Sequence, residues 1–479
     1  MRLIVKLVNR TVELSAEGET SLLKVLQKNG IGISANCGGA GKCGKCRVKI
    51  TEGKVSYEAL ACRVPPRDGM IVELSDSAKG NKTAALPPMQ TDGEDGVGLA
   101  LDIGTTTLAY YFMSLKTGEV IDIVSELNPQ RSFGADVISR ISYADENGIA
   151  ELNKCLKTHV NGTISSFLSK VGLEKIDVLA VTGNTVMLHI FACEEISSFG
   201  RYPFTPVFLE KREYLGSELG YNAEKVICLP SFSSFVGADI VCGAVATDVM
   251  NVNGLLVDLG TNGEMLLNCN GKIYIASVAA GPAFEGADIE CGMGGVSGAI
   301  RKVRHYSGGF EVETVDNGAP TGICGAGLID AVAYMLEAGI IDETGAFLNE
   351  TGRFYLSDNV YITAADIRKF QLAKSAVRSG IEILLSIAKD EGVEVTDLFL
   401  CGGLGNHIDI ESAVKVGLIP PELFRRVRPS GNAAGTGAAM CMLSSSAMKR
   451  AEQISKNKIN VELSSNARFV ELFAEYMAF

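Results

Sequence analysis

The sequence predicts a small α+β unit followed by a larger α/β unit built from two related halves. Three observations carry this. Residues 1–75 alternate short apolar runs with one helical stretch. Apolar periodicity then stops over residues 76–96, DSAKGNKTAALPPMQTDGEDG, where Gly, Pro, Asp and Lys take over. Beyond that break the pattern apolar-Asp-apolar-Gly-Thr-polar occurs twice, at Asp102-Ile-Gly104-Thr105-Thr106 and at Asp258-Leu-Gly260-Thr261-Asn262.

In the first unit, Leu3 to Val8 carries Val and Ile broken only by Lys6, which suits a strand, and Thr11 to Leu14 suits the return strand. Ser21 to Asn29 places Leu22, Leu23, Val25 and Leu26 on a helical face that Gly30 can close. A glycine-rich loop follows, then Cys46-Arg-Val-Lys-Ile as a further strand. Hairpin, helix and more strands predict a β-grasp arrangement. The paired prolines within 76–96 would stiffen a linker. From 97 to 445, strand-like runs at Val97–Ile103, Val178–Val181, Leu255–Leu259 and Leu398–Cys401 enter Gly-containing turns. Helical stretches such as Ala238–Met250 and Lys374–Ala388 lie between them. Residues 446–479 read as a mixed helical tail with no assignable role.

Composition narrows the function. The chain of 479 residues has a formal net charge of −12, which argues against nucleic acid as the main partner and against a polybasic membrane anchor. No apolar run has a membrane-spanning length, and the first ten residues lack a signal-peptide centre. Of 13 cysteines, four cluster at Cys37, Cys43, Cys46 and Cys62, while the others are scattered through apolar or Gly-rich surroundings. That usage predicts one metal site in a reducing, cytoplasmic setting rather than a disulfide framework.

The spacing Cys37-x5-Cys43-x2-Cys46-x15-Cys62 lets three thiolates of one loop and a fourth from a later segment surround a small cluster. The glycines of CGGAGKCGKC let backbone N–H groups approach it. Structural zinc is the alternative. Zinc ribbons usually pair two short knuckles, whereas only one C-x2-C pair is present, which favours iron–sulfur. In the larger unit, Gly104, Thr105 and Thr106, and again Gly260, Thr261 and Asn262, can offer N–H and O–H donors to phosphate. Asp102 and Asp258 at the strand ends can hold Mg²⁺ through water. A strand running into Gly402-Gly403-Leu-Gly405-Asn406 allows close approach to a flat adenosine. No Walker motif occurs, and Gly292-Met-Gly294-Gly295 lacks the G-x-G-x-x-G spacing and a preceding strand of a dinucleotide fingerprint.

Other segments read two ways. Gly183-Asn184-Thr185 is either a helix cap or a ligand contact, with the cap favoured. Gly281 to Asp288, with Glu285, lines a cleft or forms a polar loop. His189, alone in an apolar run, reads as a core residue. No His cluster is present, so no mononuclear catalytic metal is expected.

Residues 1–75 resemble [2Fe–2S] ferredoxins of the β-grasp kind, in the C-x5-C-x2-C variant of adrenodoxin-like ferredoxins. Residues 97–445 resemble the ribonuclease-H-like ATPases of the actin, hexokinase and acetate kinase superfamily. That second resemblance implies that Asp102 and Asp258 orient Mg²⁺ and water, that the Gly-Thr hairpins hold phosphates, and that Gly402, Gly403 and Gly405 meet adenosine. Together, the two parts resemble the reductive activators of corrinoid proteins. The short interval to Cys62, Gly183-Asn-Thr-Val-Met-Leu-His, Gly281-Pro-Ala-Phe-Glu-Gly and Cys324-Gly-Ala-Gly-Leu-Ile-Asp330 carry the same resemblance. The chain departs from larger members in having only residues 76–96 between its two units.

The family resemblance implies an ATP-dependent electron transfer from the cluster to the cob(II)alamin of a methyltransferase corrinoid protein. It also implies a separate electron donor and a homodimer through the ATPase portion. The alternatives are an ATP-coupled donor to another low-potential acceptor, or a plain ferredoxin-like electron carrier.

Overall fold

The structure is a computed structural model. It describes Met1–Phe479 apart from residues 8, 9, 17, 32, 34, 36–38, 40, 42–45, 75–85, 87, 88, 307, 350, 405 and 406.

Residues 2–73 form a five-stranded mixed sheet. Strand β1 (Arg2–Leu7) pairs antiparallel with β2 (Arg10–Ser15). The sequence continues through β3 (Arg47–Glu52) and β4 (Val55–Leu60) to β5 (Ile71–Glu73), giving the order β2-β1-β5-β3-β4. The last strand inserts between the two hairpins, parallel to β1 and antiparallel to β3. Alternation puts Leu3, Val5, Val48, Ile50 and Val72 on one buried face. The Leu22–Lys28 helix covers that face with Leu22, Leu23, Val25 and Leu26. Ser21 caps it by accepting from the Lys24 N–H, and Gly30, at φ +69°, leads the chain out of its last turn.

Two six-stranded sheets follow. The first comprises β6 (Val97–Ile103), β7 (Thr107–Ser114), β8 (Val120–Leu127), β9 (Ile176–Gly183), β10 (Arg212–Leu215) and β11 (Ala223–Cys228). Its order is β10-β11-β9-β6-β7-β8, an antiparallel meander of β6, β7 and β8 extended by β9 parallel to β6. The second begins with the meander β12 (Gly254–Leu259), β13 (Gly263–Cys269) and β14 (Lys272–Val278). A small sheet of β15 (Ala299–Tyr306), β16 (Gly309–Thr314) and β17 (Gly322–Ile323), then a hairpin of β18 (Arg353–Tyr355) and β19 (Tyr361–Thr363), stand apart from it. Strands β20 (Asp397–Cys401), β21 (Val427–Gly431) and β22 (Ile459–Asn460) complete the order β21-β20-β12-β13-β14-β22. Strand β20 is parallel to β12 as β9 is to β6, so the two halves repeat one plan.

The halves interlock through two helices. The Ala433–Leu443 helix follows β21 of the second sheet but lies in the core of the first half, against Ala238–Thr247. Glycine makes that approach possible. A Cβ at Gly437 would sit 1.9 Å from the Cys242 carbonyl oxygen, and one at Gly435 would meet the Tyr111 ring at 2.4 Å.

The stretch expected as a tail is built into both halves: the Ser445–Lys456 helix buries Met448, Ala451 and Ile454 in the first half's core, and the rest joins the second. Strand β22 extends the sheet beside β14, and the Ala467–Glu475 helix lies on the long Ala364–Asp390 helix. Arg378 stacks over Tyr476 at 4.6 Å and Lys374 over Phe479 at 4.9 Å. Much of the expected linker, 75–85 with 87 and 88, lies outside the described residues. Its end is pinned: the Asp92 N–H donates to the Leu443 carbonyl at 2.9 Å, and its carboxylate accepts from the Ser445 N–H at 2.7 Å. Among the described residues, no helix is long and apolar enough to cross a membrane.

Candidate functional site

Pairing of β3 with β4 brings two distant cysteines together. Cys46 precedes β3, and Cys62 lies in the short Ala61–Arg63 turn after β4. Arg47 pairs with Leu60, and the Ala61 N–H donates to the Cys46 carbonyl at 2.7 Å. The two sulfurs are 3.3 Å apart. Cys37 and Cys43 lie outside the described residues. Gly39, on the same loop, packs so that a Cβ would be 3.0 Å from Leu23 and 3.9 Å from the Cys62 Cβ. Arg63 donates to the Gly41 carbonyl at 2.7 Å. Two thiols held this close, on ordered backbone and beside a glycine loop, fit a site whose ligands are thiolates. Cys155 and Cys228, by contrast, are buried in the first half's core, where burial pushes both thiols up to about 12.

The nucleotide-motif residues converge between the two large sheets. Asp102 ends β6, and the Gly104 N–H closes its hairpin onto the Thr107 carbonyl at 3.0 Å. A Cβ at Gly104 would lie 2.7 Å from that oxygen, so a side chain there would open the turn. Asp258 occupies the matching place in β12, with the Gly260 N–H on the Asn262 carbonyl at 3.1 Å. One carboxylate joins the hairpins: Glu285 accepts from the Thr106 hydroxyl at 2.8 Å and from the Thr261 hydroxyl. Of the two readings of 281–288, the structure therefore takes the one that lines the cleft. Gly402, at φ +91°, passes so near Asp258 that a Cβ would be 2.7 Å from its Oδ1, whereas Gly403 faces open space. Gly405 lies outside the described residues. Thr105 presents its carbonyl to the buried Arg140 guanidinium.

Several residues at this site escaped the sequence reading. Asn432, the N-cap of Ala433–Leu443, donates to Asp102 at 2.8 Å and accepts from the Gly435 N–H at 2.7 Å. Asp239 opens the Ala238–Thr247 helix. Glu264, paired with Asp258 across β12 and β13, accepts from Asn184 at 2.7 Å. Asn184 also caps its own helix through the Val186 N–H, in keeping with the favoured cap reading. His189 is a core residue as expected. It is fully buried, with one ring nitrogen on the Thr185 carbonyl and the other accepting from the Val207 and Phe208 N–H groups.

Burial dominates the electrostatics. It pushes Asp102 up to about 7, with the Asp239 charge adding and Asn432 opposing. It pushes Asp258 up to about 8, helped by the charges of Asp239, Asp102 and Glu285. Asp239, Glu264 and Glu285 are raised for the same first reason. Five desolvated carboxylates therefore gather here with hydroxyl and amide donors beside them, and among the described residues they are not arranged as a metal-binding cluster.

This pairing of a thiolate-bearing β-grasp unit with a duplicated, hairpin-lined ATPase-like unit defines the class, and comparison with known proteins defines the family. Residues 5–67 match the 2Fe-2S iron-sulfur cluster binding domain, 97–252 the RACo middle region, and 253–479 the C-terminal domain of RACo, the ASKHA domain. The corrinoid activation enzyme RamQ of Eubacterium limosum is 27% identical, over 99% of this chain and 98% of its own. The [Co(II) methylated amine-specific corrinoid protein] reductase of Methanosarcina barkeri is 26% identical over 67% of this chain and 66% of its own. A solved reductive activator for corrinoid, iron-sulfur protein superposes with a TM-score of 0.74 at 26% identity, covering 100% of this chain and 98% of that one. The chain belongs to the reductive activators of corrinoid proteins, enzymes that join a 2Fe-2S domain to an actin/hexokinase-like ATPase domain.

Proposed function

We propose that this chain uses ATP, held with Mg²⁺ between its two hairpins, to deliver an electron from a [2Fe–2S] cluster to the cob(II)alamin of a methyltransferase corrinoid protein, restoring cob(I). The cluster ligands are Cys37, Cys43, Cys46 and Cys62. The observation that carries the reading is Glu285 bridging Thr106 and Thr261, which holds both phosphate hairpins face to face with Asp102 and Asp258 behind them. A separate protein supplies the electron, and the chain acts as a homodimer through its ATPase portion.

A plant-type [2Fe–2S] cluster, when bound, would supply a one-electron donor at about −400 mV. If the acceptor lies about 100 mV lower, each electron costs about 2.3 kcal/mol, from 59 mV per tenfold. ATP offsets that cost if it favours the complex in which the corrinoid is reduced, or drives its release. The residues contribute position and charge. Asp102 and Asp258 would hold Mg²⁺ and orient water, Gly104 and Gly260 close the two phosphate hairpins through their own N–H groups, Thr105, Thr106, Thr261 and Asn262 donate to phosphate oxygens, and Gly402, Gly403 and Gly405 let the backbone approach adenosine.

The test follows cob(I) by absorbance, with and without ATP. Asp258→Ala and Asp102→Ala should keep the cluster spectrum and chemical reducibility but lose ATP hydrolysis and net cob(I). Wild-type yields of cob(I) from Asp258→Ala would show that ATP is not coupled through this site.

A further inference from the structure

The ferredoxin unit touches the larger unit at a telling place. Gln27, in the last turn of the Leu22–Lys28 helix, is 8% exposed, and its amide donates to the Ser132 carbonyl at 2.5 Å. Ser132 ends the Pro129–Ser132 turn, which directly follows β8. The Asn128 cap of that turn donates from its backbone to the Thr106 carbonyl and from its side chain to the Gly104 carbonyl, both at 2.8 Å. The carbonyl between them, of Thr105, is held by Arg140, which is fully buried and also bonds Gln130 of the same turn at 3.4 Å. All three carbonyls of the first hairpin are therefore gripped from behind by the turn that receives Gln27 or by the arginine bonded to it.

The N-terminal end of the same helix meets the cluster loop. Leu23, one turn before Gln27, packs on Gly39 beside Cys62. The Leu22 N–H donates to the Val64 carbonyl, just past Cys62, at 2.8 Å. A single seven-residue helix thus spans from the cluster loop to the back of the phosphate hairpin.

We propose that the Gln27–Ser132 contact couples nucleotide binding at the first hairpin to the seating of the ferredoxin unit, with Asn128 and Arg140 as the positioning residues between them. This rests on the assignment of that hairpin to phosphate. A ligand that pulls the Gly104–Thr106 backbone moves the turn behind it, and the turn either keeps or releases Gln27. Linkage makes the effect reciprocal, so freeing the ferredoxin unit must change nucleotide affinity by the same factor.

The experiment uses the anaerobic holoprotein and a non-hydrolysable ATP analogue with Mg²⁺. Affinity is titrated for wild type, Gln27→Ala, Gln27→Glu and, as a control on the far edge of the ferredoxin sheet, Val55→Ser. Amide hydrogen exchange of residues 22–28, 104–107 and 128–132 is followed in parallel. The Gln27 variants are expected to shift affinity about fivefold or more, the lower end of ordinary coupling, while Val55→Ser does not. In wild type the analogue should change exchange in 22–28 as well as in 104–107. Protection of 104–107 with no change in 22–28, or unchanged affinity in cluster-loaded Gln27 variants, would overturn the coupling and leave the nucleotide assignment standing. Absence of any binding in wild type would overturn both. The wild-type exchange experiment decides even if a variant fails to fold.

Discussion

Asp258 and Asp102 are carboxyls that folding removes from water. Each holds a proton in the folded chain over a pH range where the unfolded chain has lost it, so stability falls as pH rises through that range. The window runs upward from the ordinary value of 3.8 to about 7 for Asp102 and about 8 for Asp258. His189, lowered to about 4 by burial, acts in the opposite sense below 6.5, and Lys374, lowered to about 8, acts above the window. Between pH 6.5 and 8 the nucleotide-free protein should therefore lose several degrees of melting temperature. Mg²⁺ with nucleotide should restore more at pH 8 than at pH 6.5; a flat calorimetric profile without ligand would count against the buried pair. The cysteines allow a simpler contrast. Cys46→Ser or Cys62→Ser should destroy or strongly perturb the visible spectrum of a protein holding two iron and two sulfide per chain, whereas Cys228→Ser, in the first half's core, should leave it intact. A protein that takes up only zinc on anaerobic reconstitution would refute the iron assignment.

At the scale of elements, hairpins and crossing helices divide the work. The β6–β7 and β12–β13 hairpins present their small polar residues because each follows a buried strand that fixes its direction. The Ala238–Thr247 and Ala433–Leu443 helices bring Asp239 and Asn432 to the same point, and they do so only because their backbones nearly touch. Gly437→Val should force them apart, since a Cβ would overlap the Cys242 carbonyl. We expect a loss of about 1–3 kcal/mol, the usual range for overpacking, read from urea unfolding of the ATPase portion. Asn432 would shift from Asp102, so ATP turnover should fall while the cluster spectrum stays unchanged. Unimpaired turnover would mean that the crossing does not position the site.

The whole molecule places the Cys46–Cys62 pair and the back of the carboxylate-lined cleft at opposite ends of one short helix. An activator of this design gains nothing from hydrolysing ATP without its acceptor. Steady-state ATP hydrolysis should be slow alone and rise when an oxidised, cob(II) corrinoid protein is added, with the cob(I) form stimulating less. Equal rates with and without every candidate corrinoid protein would remove the coupling to a corrinoid acceptor and leave an ATP-coupled donor to another acceptor, or a plain electron carrier.

Local pattern was enough to read the β-grasp hairpins, the helix capped by Ser21, strands such as Val97–Ile103, the four-cysteine spacing and the repeated Asp-x-Gly-Thr hairpin. Each of these is legible from short stretches of sequence, through side-chain alternation, turn chemistry, ligand spacing or comparison of one stretch with another. The repeat also pointed to two facing halves. The residues that make the cleft one site were not readable in that way. Glu285 lies 179 residues from Thr106, and Asn432 lies 330 from Asp102. Sheet order and the exchange of helices between halves bring them together, and no window of sequence encodes that. Gln27 reads as one more helical residue until the fold sets it against Ser132, 105 positions away. Long-range convergence of this kind depends on how whole elements pack, so it emerges only when the buried faces have been paired.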